Sequence, residues 1–368
     1  MTVLDEVGRL RFDIPPQLHA AEPPEARGAG RDGVRMLVST SDRQVHARAR
    51  DLPAMLRPGD LVVVNVSQTL PASLPGRDGD EEVEVHLSTL DPGGAAGMEG
   101  ALASRVSCWV LEVRHPLPVG SQASFEPRRG HVITLAGGAL ATVQRSVPPG
   151  SARSRLWLAT VRTAAPLGAH LERWGEPIRY DYAARRWPIG DYRTDVGRQP
   201  GSAEMPSAGR PLTPAVLESL PARGVEVAEI TLHCGVSSLE SGDPPYPEWR
   251  RVPPLTARAI RRARARGGRV LAVGTTVVRA LESSITGEGE VRASAGWTNL
   301  MVEPGHPVRT IDGILTGWHE PEATHLAMLE AIAGRQLLAR SYAEALAASY
   351  RWHEFGDAHL LWAERAPR

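Results

Sequence analysis

The spacing of apolar positions changes character twice along this chain. Up to about residue 75, and again beyond about 164, short wholly apolar runs alternate with stretches of helical period. A strand is expected over 34–39, and the short apolar run LVVVNV over 61–66 follows the turn Arg57-Pro58-Gly59-Asp60, which predicts a second strand. From 76 to about 163 the period drops to two. The segments VEVHLSTL, SCWVLEVR, HVITLA, ALATVQR and RLWLATVR alternate apolar with polar positions between Gly/Pro turns, the pattern of a small sandwich or barrel. Helical signals return over 165–174, 212–223 and 255–266, with strands expected at 227–233 and 270–273 and two closing helices over 321–333 and 337–350. Thr213-Pro214 supplies an N-cap followed by a proline at the first helical position. The fold class is therefore α/β (mixed α+β): a large domain with a mixed sheet over 1–75 and 164–368, and an inserted small all-β, barrel-like domain over 76–163.

Composition removes several classes of function. With 42 basic and 42 acidic side chains in 368 residues, no overall positive field draws in a polyanion, so any nucleic-acid contact must be local. All 42 cations are arginine, which the abundance of Ala, Gly and Pro attributes to base composition of the gene. The run RAIRRARARGGR over 258–269 reads as a solvated helix face, with a phosphate-binding face as the other reading. Cys108 and Cys234 lack any C-x-x-C spacing, so both are expected reduced and buried, without a disulfide or zinc site. No apolar run reaches signal-peptide or membrane-span length, and a cytoplasmic protein is expected.

Chemistry concentrates in the C-terminal half. RVLAVGTTVVRALESS over 269–284 breaks an apolar strand at Gly274 into Thr275 and Thr276, then resumes as a helix carrying Arg279 and Glu282. A strand that opens through a glycine into a helix offers unpaired backbone N–H groups and hydroxyls to a ligand, although an ordinary strand-to-helix connection has the same pattern. Arg279 and Glu282 also stand at i, i+3 spacing, so an ion pair that only secures the helix is the competing account. PGSAEMPSAG over 200–209 is a rigid, small-residue loop through which a ligand can approach the backbone. His233 ends a strand and points either to the ligand crevice at the sheet's carboxyl edge or into the core. His319 stands just before the helix expected at Pro321, where a helix N-terminus would keep it neutral and able to accept a proton. His325, His353 and His359 match no zinc spacing, and no metal is expected.

Taken in order, PGDLVVVNVSQTLPASLPG, VEVHL, the Y-x-T at 192–194, PGSAEMPSAG, TLHCG, GGRVLAVGTTVVRALES, GWTNL and YRWHEFGDAHLL resemble one family over nearly the whole chain. It is the S-adenosylmethionine:tRNA ribosyltransferase-isomerase family of queuosine biosynthesis. The resemblance implies transfer of the ribosyl part of S-adenosylmethionine to a 7-aminomethyl-7-deazaguanine in tRNA, giving epoxyqueuosine with release of adenine and methionine. S-adenosylmethionine is then a co-substrate; no cofactor is implied, and a monomer is expected. Carried onto this chain, the catalytic groups expected are His233 or His319 as the proton acceptor, with Glu282 and Arg279 ordering the site or holding ligand hydroxyls and carboxylate. The resemblance implies Pro206, Ala208, Gly209, Gly235, Glu248, Gly274, Thr275, Thr276, Arg279, Thr298 and Asp357 as substrate-binding residues. The chain departs from the family at Ser67-Gln68, Ser73, Val196, Pro211-Leu212, Val236-Ser237-Ser238-Leu239, Tyr246 and Gly317–Pro321. These departures imply an altered acceptor site and leave two other readings open: an S-adenosylmethionine enzyme with a small-molecule or water acceptor, and a non-catalytic S-adenosylmethionine-binding protein.

Overall fold

The computed structural model describes residues 3–4, 10–94, 97–117, 120–124, 126, 128–151, 154–183, 185–236, 246–321 and 323–363. The main strands, in chain order, begin with β1 (Arg35–Ser39), β2 (Gln44–Arg48) and β3 (Leu61–Asn65). Next come β4 (Ser73–Asp78), β5 (Glu81–Leu90), β6 (Val106–Pro116), β7 (Val132–Leu135), β8 (Ala139–Val147) and β9 (Leu156–Arg162). The remainder are β10 (Glu226–Leu232), β11 (Glu248–Val252), β12 (Val270–Val273), β13 (Ser294–Thr298), β14 (Gly313–Thr316) and β15 (Ala358–Trp362). The helices used below are α1 (Leu167–Trp174), α2 (Pro214–Ala222), α3 (Pro254–Ala265), α4 (Thr275–Glu282), α5 (Thr324–Ala333) and α6 (Arg335–Ala347).

Nine strands form one mixed sheet in the order β13-β11-β10-β3-β12-β14-β15-β1-β2. Its centre, β10-β3-β12-β14, is parallel throughout. Every residue of β3 and β12 is buried, as expected for strands covered on both faces. On one face α3 lays down Ala259, Ile260 and Ala263 while Arg258, Arg261 and Arg262 stay exposed, so the arginine run is a solvated face. On the other, Val216 and Leu220 of α2 pack with Val62, Val64 and Leu271. Thr213 caps α2 by accepting a hydrogen bond from the Val216 N–H at 3.4 Å. At the amino edge of the sheet, Asp60 accepts hydrogen bonds from Arg57 N at 2.9 Å and Arg269 N at 2.8 Å, which fixes the 57–60 turn against the start of β12.

Six strands close into an antiparallel barrel, β4-β5-β6-β9-β8-β7 and back to β4, with Ser121–Ala123 added beside β6. Its interior is filled by Val83, Val85, Trp109, Leu111, Ile133 and Val161. Three local expectations need correction. The first closing helix begins at Thr324, not Pro321, and Gly334 at φ 76° separates it from the next, which ends at Ala347 before Ser349 at φ 55°. Cys234 is buried, but Cys108 is only half-buried; both are free thiols. Among the described residues, no helix is long and apolar enough to cross a membrane.

Candidate active site

Because β10, β3, β12 and β14 run parallel, the residues that follow them meet at one edge: Asn65, His233, Gly274 and the Thr316–His319 segment. The Asn65 amide ties this edge together. Its Nδ2 donates to Leu232 O at 2.9 Å and Thr276 Oγ1 at 3.2 Å, while its Oδ1 accepts from Leu232 N at 3.0 Å and Ser67 N at 3.1 Å. Gly274, at φ 91°, occupies the left-handed region that favours glycine and turns the chain into α4. A side chain there would also meet the Ala208 methyl at 3.3 Å, so the small-residue loop Pro206–Gly209 lies against the strand-to-helix turn.

His233 is buried. Its ring stacks on Trp249 at 5.5 Å, and its Nδ1 lies 2.7 Å from Ser67 Oγ, which is itself 2.7 Å from Ser202 Oγ. Gly201 also lies against the ring, where an added Cβ would stand 2.4 Å from Nδ1. Burial disfavours the imidazolium and pushes the His233 pKa down to about 4, so the ring is neutral at physiological pH.

His319 lies on the far side of the same edge. Its Nε2 is 2.9 Å from Thr316 Oγ1, its backbone N–H reaches Tyr342 OH at 3.3 Å, and its ring stacks on His325 at 4.9 Å. The ring is neutral as expected, but the expected cause is wrong. Helix α5 starts five residues further on; burial first, then the neighbouring rings His325, His359 and His353, hold the His319 pKa well below its ordinary value. His325 adds a third neutral imidazole: burial and the Arg279 guanidinium lower its pKa against the pull of Glu248.

The other residues picked from the sequence divide into two groups. Arg279 pairs with Glu248, whose other oxygen accepts from Gly235 N at 2.8 Å, so these three join α4, β11 and the segment after His233. Glu282 does not pair with Arg279. It is buried and accepts from Arg309 N and Thr310 N, each at 2.8 Å, and from Thr310 Oγ1 at 2.7 Å, which makes it an anchor for that loop. Thr298 Oγ1 is 2.5 Å from Ser283 Oγ and accepts from Leu300 N. Asp357 accepts from Arg35 N at 2.9 Å and Arg351 N at 2.8 Å. Glu282 and Thr298 thus shape the scaffold, whereas Asp357 also lines the cleft beside Ala208 and Thr316, and Arg279, Glu248, Gly235 and the 274–276 turn stand at the edge.

Sequence reasoning missed an acidic and aromatic wall. A small open cleft beside Ala208 and Thr316 is lined by His353 and Glu354. Tyr182 donates to Glu354 Oε2 at 3.1 Å, Tyr180 donates to Glu204, and Tyr182 stacks on His353 at 3.9 Å. Burial and then Glu204 push the Glu354 pKa up to about 8. The sequence does show Glu204 inside the small-residue loop and Glu354 beside His353, but nothing in it brings positions 150 apart together. Of the family departures, Val196 and Leu212 pack in one apolar cluster, Ser73 donates to Glu84, and Tyr246 accepts from Arg155 at 3.0 Å. Ser237, Ser238 and Leu239 lie outside the described residues.

A family model described as a queuosine biosynthesis protein matches residues 7–361. The S-adenosylmethionine:tRNA ribosyltransferase-isomerase of Sorangium cellulosum is 34% identical over 387 residues, covering 97% of this chain and 99% of its own. That of Moorella thermoacetica is 34% identical over 368 residues, covering 95% and 98%. A solved structure, the S-adenosylmethionine tRNA ribosyltransferase of Thermotoga maritima, matches with a TM-score of 0.50 at 28% identity, covering 95% of this chain and 98% of that one. With a parallel-sheet edge that gathers neutral imidazoles and matches of this extent, the chain belongs to the queuosine biosynthesis protein family.

Proposed function

We propose that this chain transfers the ribosyl part of S-adenosylmethionine to a 7-aminomethyl-7-deazaguanine in tRNA, forming epoxyqueuosine and releasing adenine and methionine. The observation that carries this reading is the set of uncharged imidazoles at the sheet edge where Gly274 opens α4. A sulfonium acidifies the adjacent C5′ hydrogens, and a neutral imidazole held in a poorly solvated recess is a suitable proton acceptor. His319 takes that role; the first-turn N–H groups of α4 and the Arg279–Glu248 pair hold polar parts of the donor. S-adenosylmethionine is consumed as co-substrate without a further cofactor. The same reading takes a monomer as the working unit and, with tRNA as substrate, a cytoplasmic location.

The small-molecule and non-catalytic readings are not favoured, since relatives of the same name match across 95–97% of the chain. Incubation with S-adenosylmethionine and tRNA bearing the aminomethyl base is expected to release adenine, and omission of the tRNA to stop it. Adenine release independent of tRNA would transfer support to a small acceptor or water. No release with tRNA present would overturn the proposal.

A further inference from the structure

The imidazoles at and behind the sheet edge are not equally engaged. A ring nitrogen of His233 meets Ser67 Oγ at 2.7 Å, one of His319 meets Thr316 Oγ1 at 2.9 Å, one of His353 meets His19 Nδ1 at 2.5 Å, and one of His359 meets Ser39 Oγ at 3.0 Å. His325 differs. Among the described residues neither of its ring nitrogens has a hydrogen-bond partner, and the side chain is half-buried rather than sealed in the core as His359 is. The groups around it explain why. The ring stacks on His319 at 4.9 Å with the planes 24° apart, a contact that uses a ring face and leaves the in-plane nitrogens open. The charges that act on it, Arg279 and Glu248, are already engaged with others. Glu248 accepts from Arg279 through one oxygen and from Gly235 N through the other, and Arg279 Nε donates to Leu300 O at 3.0 Å. His325 is therefore an unpaired, uncharged polar group beside both the proposed proton acceptor and the charged pair, and such a group calls for a ligand or water to complete it.

We infer that His325 binds the ribose 3′-hydroxyl of S-adenosylmethionine, as a further donor-binding residue of the proposed reaction. The hydrogen that His319 removes is on C5′, and the 3′-hydroxyl is carried by the second carbon along from it, so a ring stacked on His319 is within reach. Charge sorts the rest of the donor: the carboxylate and ammonium of its methionyl part suit Arg279 and Glu248, and the uncharged hydroxyl suits the uncharged imidazole. A neutral imidazole offers one N–H and one lone pair, and a hydroxyl can accept from the first or donate to the second. The pairing is thus the same whichever nitrogen of His325 carries the proton.

This inference rests on S-adenosylmethionine being the donor, but it is tested by binding alone. Calorimetric titration of the wild type is expected to show the 3′-deoxy analogue of S-adenosylmethionine bound about tenfold more weakly than S-adenosylmethionine itself, the effect of one hydrogen bond. His325→Phe keeps a ring to stack on His319 but has no nitrogen. At matched melting temperature it is expected to bind S-adenosylmethionine about tenfold more weakly than the wild type does and to bind the two ligands alike. His325→Leu is a second nitrogen-free variant that carries the same expectation should His325→Phe fail to fold. A wild type that binds the two ligands alike, or a nitrogen-free variant that keeps the wild-type preference, would overturn the inference and leave the proposed reaction standing. No affinity of the wild type for S-adenosylmethionine would overturn both.

Discussion

The barrel wall and the sheet edge both bury polar groups, but they do so on opposite principles. In the barrel, charges meet opposite charges: Glu112 accepts from Arg114 at 3.0 Å and Arg155 at 3.1 Å, and Arg155 continues to Tyr246. Burial raises the pKa of Glu84, yet the His86 ring, the Ser73 hydroxyl and Arg186 outweigh it and hold the carboxyl at about 2. At the sheet edge, like meets like. Neutral imidazoles stack on one another, and Glu354 faces Glu204. The first arrangement secures a fold; the second keeps the imidazoles uncharged even below their ordinary pKa and keeps Glu354 protonated where a free carboxyl would ionise.

This contrast predicts different responses to mutation and pH. The largest effect belongs to the barrel. Glu112→Ala strands Arg114 and Arg155 without their anion and is expected to cost about 3–5 kcal/mol in denaturant unfolding. An unchanged midpoint would show that the network does not hold the wall.

A smaller effect belongs to the edge. His359 and His233 are lowered by burial, to about 3 and about 4. Because their folded pKa values lie below those of the unfolded chain, the unfolded state binds more protons as pH drops below about 6.5, and stability present above that pH is lost toward 4. Glu84 contributes in the other window: its stabilisation is present above about 4.5 and is lost only as pH falls through 2. His359→Leu should therefore recover on the order of 2 kcal/mol at pH 5 relative to pH 7. Parallel pH–stability curves for variant and wild type would contradict this.

The smallest effect concerns Glu354. Its raised pKa means that ionisation between about 4.5 and 8 destabilises the fold, so Glu354→Gln should gain on the order of 1 kcal/mol at pH 5.5 and nothing at pH 4. A gain independent of pH would argue that the acid pair is not the cause.

What the sequence disclosed, and what it withheld, follows the range of the interactions involved. The apolar runs of β3 and β12 and the Thr213 cap depend on neighbours within a few residues, and they were legible. The partners of Arg279 and Glu282 were not. Local spacing offers them to each other, but β11 supplies Glu248 to one and the 309–310 loop supplies backbone N–H groups to the other. Pro321 suggested a helix start, but the helix begins at Thr324. His233 and His319 were legible as positions, because each follows a strand of the same parallel set. The Ser202–Ser67 hydrogen bond and the Glu204–Glu354 pair needed the fold, since each joins residues more than 130 positions apart.

The central claim is that a neutral imidazole at the sheet edge removes a C5′ hydrogen from S-adenosylmethionine. It is tested most directly by following loss of deuterium from C5′-deuterated S-adenosylmethionine in the presence of acceptor tRNA, for wild type and for His319→Ala, with donor affinity measured alongside. The account predicts rapid loss in the wild type and a decrease of about 10³–10⁴-fold in the variant at unchanged affinity. Equal rates of loss in the two proteins would contradict it.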